Sequence, residues 1–184
     1  TSEITLKQIQ EFSRLSERDD LTPQEANRRM VSIFSGISYN DLANVSQKDF
    51  DDMTEQIENA LQEQSEFNPR FSMGGIDYGF IPNLDEMTTG EFVDLSSYDT
   101  GIEDMHNLMA VLFRPVSNSD ALGNYEIENY NGTGDRGELM KQAPASIVNG
   151  AMLFFCDLAK ELKNHIQNST RVAQARGEVP PTTS

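Results

Sequence analysis

Residues 102–115 read IEDMHNLMAVLFRP, and this stretch decides the predicted fold. Over most of its length, apolar side chains leave little polar face, which is typical of a helix that is buried on most sides. Arg114 precedes Pro115, and a proline disfavours the helical conformation of the residue before it. The stretch therefore predicts a buried helix over residues 102–113.

A second apolar run begins at Pro144. Residues 144–166 read PASIVNGAMLFFCDLAKELKNHI, and proline is favoured at the first position of a helix. The run is apolar nearly all round through residue 159, so this helix is predicted to be the buried centre of the molecule. We expect helices near residues 102–113 and 145–166 to share one core.

Three amphipathic helices are predicted before this core, over residues 1–66. The second has the clearest start: Thr22 is a capping residue, Pro23 is the first helical residue and Glu25 completes a capping box. Gly36 ends that helix. The three helices are expected to pack as a small bundle, and their predicted starts lie at residue 5, Thr22 and Ser46.

A short β-structure is predicted between the two groups of helices. Gly74-Gly75 separates two alternating apolar runs and indicates a hairpin turn. Such short strands need a helix to pack against. Thr88, with Glu91 three residues later, starts a short helix that is expected to bury Phe92.

The predicted fold class is mainly α, with a minor α+β character: a helical domain that carries one small β-hairpin. Residues 1–66 form the N-terminal bundle, and residues 67–168 form the hairpin and the buried-helix core, in the same domain or a closely packed subdomain. Residues 169–184 are small, polar and rich in proline at the end, so they are expected to be a flexible or partner-ordered tail.

The sequence has 184 residues and a formal net charge of -16, which limits the classes of partner. Residues 1–68 carry 14 acidic and 6 basic side chains, and residues 69–137 carry 12 and 3. Such a charge repels phosphate backbones and anionic membranes. No stretch approaches the roughly 20 apolar residues that cross a bilayer. Nucleic acid and membrane are therefore not expected as direct partners.

Residues 132–137 read GTGDRG and match the dinucleotide-binding pattern G-x-G-x-x-G. In that pattern, backbone amides at a helix start bind a pyrophosphate. No parallel strand–helix–strand pattern surrounds these glycines, and the surplus of carboxylates disfavours a phosphate ligand. We interpret the match as a flexible surface loop and expect no cofactor.

The side chains with the most reactive chemistry are expected to be structural. His106 and His165 have no partner in a metal-ligand pattern. Cys156 lies in the most apolar helix, where burial disfavours the thiolate. Three acidic pairs lack the alternating oxygens of a calcium loop and fit a solvated helix face: Asp51-Asp52, Asp85-Glu86 and Glu103-Asp104. The sequence therefore predicts no catalytic, cofactor-binding or metal-binding residue, and no enzyme.

Three segments carry a family resemblance. Residues 79–95 read GFIPNLDEMTTGEFVDL, residues 105–116 read MHNLMAVLFRPV, and residues 150–155 read GAMLFF. They resemble, in order, a GF-IPDL hairpin strand leading into a T-GE-(Y/F)-DL helix, an H-A-V-L-(Y/F)-R-P helix and a late GA-FF helix. These are segments of tailed-bacteriophage structural and assembly proteins of the tail-assembly-chaperone kind. The resemblance covers residues 76–163 and carries over no functional residue.

This resemblance implies phage morphogenesis, either as a chaperone of a tail component or as a subunit of the particle. We expect a non-enzymatic protein that contacts other phage structural proteins or further copies of itself. Its expected location is the cytoplasm of the infected bacterium during assembly, or the virion, and the start of the sequence has no basic segment followed by an apolar one. The charge leaves a second hypothesis open, a soluble acidic regulator that mimics DNA charge and inhibits a basic host protein.

Overall fold

The computed structural model describes residues 3–98 and 101–154. Within these ranges the helices are α1 (Leu6–Ser16), α2 (Pro23–Ser35), α3 (Gln47–Gln62), α4 (Thr89–Ser97), α5 (Met105–Leu112), α6 (Gly134–Met140) and α7 (residues 145–154). Short 3₁₀ helices lie at Asp41–Asn44 and Leu84–Glu86. The strands are β1 (Arg70–Met73), β2 (Ile76–Phe80), β3 (Phe113–Ser119) and β4 (Tyr125–Ile127). None of the helices in these ranges has the length and apolar character needed to span a membrane.

Local capping signals place the N-terminal helices, as predicted. The Thr22 hydroxyl accepts a hydrogen bond from Glu25 N at 3.3 Å, and Glu25 Oε2 accepts one from Thr22 N at 3.0 Å. Gly36 ends α2 in the left-handed conformation, with φ of 74°. Both ends of this predicted helix are confirmed. The N-terminal helices enclose a small apolar core whose buried members are Val31, Phe34, Leu42 and Ile57.

The prediction of a mainly α fold with one small hairpin is wrong. The predicted hairpin exists as β1 and β2, but β3 and β4 extend it to a four-stranded antiparallel sheet in the order β1-β2-β3-β4. The fold is therefore mixed α+β. The Gly74-Gly75 turn of the hairpin has positive φ angles of 60° and 79°, which glycine adopts without strain.

The sequence prediction lacks the rest of the sheet because a proline after an apolar run indicates the end of a helix and gives no sign of a strand that follows directly. α5 ends at Leu112, and the chain continues directly into β3, where Pro115 faces Tyr78 of β2. The Pro115 carbonyl accepts a hydrogen bond from Glu128 N at 2.9 Å, on the β4 side. In an antiparallel strand, the backbone N and O atoms of one residue face the same neighbouring strand. The Pro115 nitrogen therefore faces away from β2, and its missing N–H removes no hydrogen bond between β2 and β3.

The larger core lies between the sheet and the helices α5, α6 and α7. Its members include Met109, Phe113 and Val148, all of which are almost fully buried. Phe80 and Phe113 pack edge to face, with ring centroids 5.2 Å apart. The predicted shared core of two helices is present for α5 and α7, although the remainder of the predicted 145–166 helix and the predicted tail lie outside the described residues.

α1 connects the two cores. Leu6 N donates to Ala143 O at 2.9 Å, and Ala145 N donates to Ile4 O at 2.8 Å, so the start of α1 is bonded to the chain that enters α7. Leu6 itself belongs to the larger core, whereas Ile9 packs against the smaller one. The domain division near residue 66 stays a prediction.

Candidate functional site

The candidate site is α4 together with the buried polar contacts that hold it on the sheet. Thr88 caps α4, and its hydroxyl donates to Glu91 Oε2 at 2.6 Å. Thr88 N donates to the same oxygen at 2.6 Å, and Glu91 N donates back to the Thr88 hydroxyl at 3.3 Å. This capping box was predicted from Thr88 and Glu91 and is confirmed.

Glu91 also forms a buried ion pair with Arg114 of β3. Glu91 Oε1 accepts a hydrogen bond from Arg114 Nη1, and the two residues are only 2% and 5% exposed. Burial, the largest single influence, raises the pKa of Glu91, but the bonds from Thr88 and Arg114 together outweigh it and hold that pKa below its ordinary value. The carboxylate is therefore charged when it is buried.

A tyrosine extends this contact to the rest of α4. The Arg114 guanidinium lies 5.4 Å from the centre of the Tyr130 ring. The Tyr130 hydroxyl donates to Asp94 Oδ2 at 2.5 Å. Burial first, and then this bond to a carboxylate, raise the pKa of Tyr130 well above its ordinary value. The tyrosine thus stays a donor, and α4 is held at Glu91 and again one turn later at Asp94.

The outer side of α4 exposes two adjacent apolar side chains among small and polar ones. Phe92 is 64% exposed and Val93 is 56% exposed. The prediction that Phe92 is buried is therefore wrong, and its neighbour Glu91 takes the buried position instead. The reason is that Glu91 has two partners inside, the cap at Thr88 and the guanidinium of Arg114, which together compensate a carboxylate for the loss of water.

Most of the segment with the dinucleotide-type glycines belongs to a helix, which begins at Gly134. Residues 134–140 form α6, so the interpretation as a flexible loop is wrong for that part. Gly137 packs against α5, where a Cβ atom on it would lie 2.3 Å from Asn107 Oδ1. Close approach of α5 and α6 therefore accounts for the third glycine of the pattern.

His106 lies between α1 and α6. Gln10 Nε2 is 3.1 Å from His106 Nδ1, and Glu138 Oε1 is 3.8 Å from His106 Nε2. Burial first, and then the charge of Lys141, lower the pKa of His106 below its ordinary value. The ring is therefore neutral at pH 7 and contacts Gln10 of α1, a buried polar residue that no local sequence pattern indicates.

Among the residues that the structure describes, the acidic pairs and His106 do not gather at one place. Glu103 pairs with Arg14 at the surface, and Asp52 pairs with Lys48 at 2.6 Å. Over the parts of the chain that the structure describes, no three His, Cys, Asp or Glu side chains are close enough to hold a metal ion. Cys156 and His165 lie outside those parts. The predicted absence of catalytic, cofactor and metal residues stays a prediction.

Comparison with known proteins adds no assignment: no protein-family model matches the chain, and neither a curated protein nor a solved structure matches it.

Proposed function

We propose that this protein is a non-enzymatic structural or morphogenesis protein of a tailed bacteriophage that acts through protein–protein contacts in tail assembly. One observation carries the proposal. The two longest segments of the resemblance, residues 79–95 and 105–116, meet at the buried contact between Glu91 and Arg114. The helix fixed by that contact exposes two adjacent apolar side chains, Phe92 and Val93.

An exposed aromatic side chain on a fixed helix is a suitable contact for another protein. Single exposed apolar residues are common, but phenylalanine is enriched at interfaces and its ring loses little conformational freedom when it is bound. The buried pair below it restricts the movement of α4, which lowers the ordering cost of binding. The proposed partners are other phage structural proteins or a further copy of this chain, in the infected bacterial cytoplasm or in the virion.

The test is capture of partners from bacteria infected with the phage that encodes the protein. The tagged protein should retain identified tail proteins, and Phe92→Asp should lose them. Leu122→Asp is the matched control, because Leu122 is 89% exposed in the connection between β3 and β4. Both variants should melt at the temperature of the unchanged protein, since neither side chain is buried.

Mass spectrometry of purified particles separates the two forms of the proposal. A particle subunit is present in stoichiometric amounts, whereas an assembly chaperone is absent from particles but retains tail proteins in the capture experiment. If the protein is absent from particles and retains no phage structural protein from infected cells, the proposal is wrong. Solution mass compared with the chain mass of 20.6 kDa shows whether it associates with itself.

A second candidate function rests on α3. Its solvent side presents a row of exposed carboxylates from Asp49 to Glu58, with one basic residue, Lys48, beside them. Such a row suits a basic protein surface and supports the alternative of an acidic regulator that mimics DNA charge. Binding of that kind weakens steeply as salt rises. A combined Asp51→Asn, Glu55→Gln and Glu58→Gln variant should lose it, and binding that is indifferent to salt would exclude this candidate.

A further inference from the structure

A cleft of about 300 Å³ lies between α1 and α2, far in sequence from the segments of the resemblance. Three arginines line it: Arg14 from the last turn of α1, Arg18 from the chain just after α1, and Arg29 from α2. Residues 1–68 contain only 6 basic side chains, so half of them meet at this cleft.

Arg29 has unused hydrogen-bonding capacity. Its Nε is buried and has no hydrogen-bond partner, and no carboxylate of the described residues lies within 4.0 Å of its guanidinium. The guanidinium carbon lies 5.1 Å from the centre of the Tyr39 ring, which also lines the cleft. An aromatic face orients a guanidinium group without using its N–H donors. The N–H groups on the two terminal nitrogens of Arg29 therefore remain available to a ligand.

The other two arginines are held only by exposed ion pairs. Arg14 pairs with Glu103 at 2.5 Å and Arg18 pairs with Asp20 at 2.6 Å, and all four side chains are about half exposed. Exposed pairs of this kind contribute little and exchange readily. A ligand with several anionic oxygens can therefore recruit both arginines at small cost.

We propose that this cleft binds the phosphate group of a small molecule, either inorganic phosphate or a phosphate monoester. Guanidinium groups match the oxygens of phosphate in geometry and charge, and three arginines line this cleft. The cleft volume lies at the lower end of small-molecule sites, which leaves room for an organic part beyond the phosphate. The acidic surface around it repels polyanions, which favours a single phosphate over a nucleic acid backbone.

One residue of the cleft wall carries the same sign of charge as the proposed ligand, and its removal tests whether the ligand is an anion. Glu11 lies in the cleft wall with the arginines. Its carboxylate repels an incoming phosphate, so Glu11→Gln should tighten binding. Asp51→Asn on α3 is the control, because it also removes one carboxylate but at a position that does not line the cleft. If the two substitutions change phosphate binding equally, the effect comes from the overall surface charge and not from the cleft.

The experiment is a titration of the isotope-labelled full chain, followed by NMR at constant ionic strength. Glycerol phosphate and inorganic phosphate are the two probes. At least one should shift the Arg29 side-chain and Tyr39 ring signals saturably. Tighter binding of the ester assigns the site to a monoester, and equal binding assigns it to free phosphate.

Arg29→Lys keeps the charge but loses the planar fork, and should weaken binding by about tenfold or more. Arg28→Lys is the matched control: the Arg28 guanidinium lies 4.3 Å from the same Tyr39 ring but does not line the cleft. The control should bind as the unchanged protein does. The proposal is overturned if neither probe gives a saturable shift, if Arg28→Lys weakens binding as much as Arg29→Lys, or if a short oligonucleotide displaces both probes.

Discussion

Two arginine–glutamate pairs join distant parts of this chain, and they differ in their surroundings. Arg114 and Glu91 have side chains that are 7% and 3% exposed, beneath α4. Arg14 and Glu103 have side chains that are 57% and 54% exposed, at the junction of α1 with the chain before α5. Both contacts are ion pairs between an arginine and a glutamate, but only in the first are the charged groups shielded from solvent.

The difference shows which contact holds structure in place. Water replaces either partner of the surface pair at almost no cost, because an exposed charge is solvated with or without its partner. Neither partner of the buried pair can be removed without leaving a charge in an apolar interior. The position of α4, and with it the exposure of Phe92, therefore depends on Glu91 and Arg114 far more than the N-terminal contact depends on Arg14 and Glu103.

Removal of Glu91 has the largest expected effect. Glu91→Ala leaves the Arg114 charge buried without its partner and takes one half of the capping box from α4. We expect a loss of about 3–5 kcal/mol in the free energy of unfolding, measured by urea denaturation. A double variant, Glu91→Met with Arg114→Met, should recover most of that loss. A single Glu91→Ala variant that unfolds like the unchanged protein would contradict this role.

The stability that the Glu91–Arg114 pair contributes should depend on pH. The folded-state pKa of Glu91 lies below its ordinary value of 4.5, so its stabilising contribution is present above about that pH and is lost as the pH falls through the folded-state pKa. The difference in unfolding free energy between the unchanged protein and Glu91→Gln should therefore be constant at neutral pH and shrink below pH 4.5. A difference that stays the same throughout this range would show that the charge of Glu91 is not what matters.

The tyrosine above the pair should have a smaller effect. Tyr130→Phe removes the donor to Asp94, and we expect a loss of about 1.5 kcal/mol in the free energy of unfolding, as for a partly buried hydrogen bond to a charged group. Tyr98→Phe is the comparison, because the Tyr98 hydroxyl bonds the neutral Thr133 hydroxyl at 2.8 Å. Its loss should be the lesser of the two, and the reverse order would contradict the importance of the Asp94 contact.

The surface pair should have the smallest effect of all. Arg14→Ala is expected to leave the denaturation midpoint within the error of the measurement, because both partners keep their hydration. Raising the salt concentration should likewise change little at this pair. A clear destabilisation by Arg14→Ala would mean that the exposed contact fixes α1, and the contrast with the buried pair would no longer hold.

What could be predicted from the sequence was mostly local. The start of α2 needs only Thr22, Pro23 and Glu25, and its end needs only Gly36, so the structure of that helix can be read from adjacent residues. The hairpin could be predicted from Gly74-Gly75 for the same reason. Each of these signals acts within a few positions of the chain, where backbone preference and one or two side chains decide the conformation.

The interior of the candidate site depends on partners that are distant in the chain. Glu91 is buried because Arg114, 23 residues later, arrives beside it on β3. Phe92 is predicted to be buried only because its side chain is apolar. No local sequence rule shows that a carboxylate with a distant ion-pair partner will take the buried position instead. A signal was nevertheless present: Arg114 follows an apolar run, and a buried arginine needs an acidic partner. The extension of the sheet by β3 was missed for the related reason that strand pairing is not local.

The most direct test of this account is a pair of double-mutant cycles, one for Glu91 with Arg114 and one for Glu103 with Arg14. Each cycle uses the two single neutralising substitutions and their combination, with unfolding free energy and hydrogen-exchange protection of α4 as the two readouts. We expect a large coupling for the first cycle, with α4 losing protection in each single variant, and a coupling near zero for the second. Equal couplings in the two cycles, or α4 protection that survives Glu91→Gln, would mean that the buried pair does not fix α4.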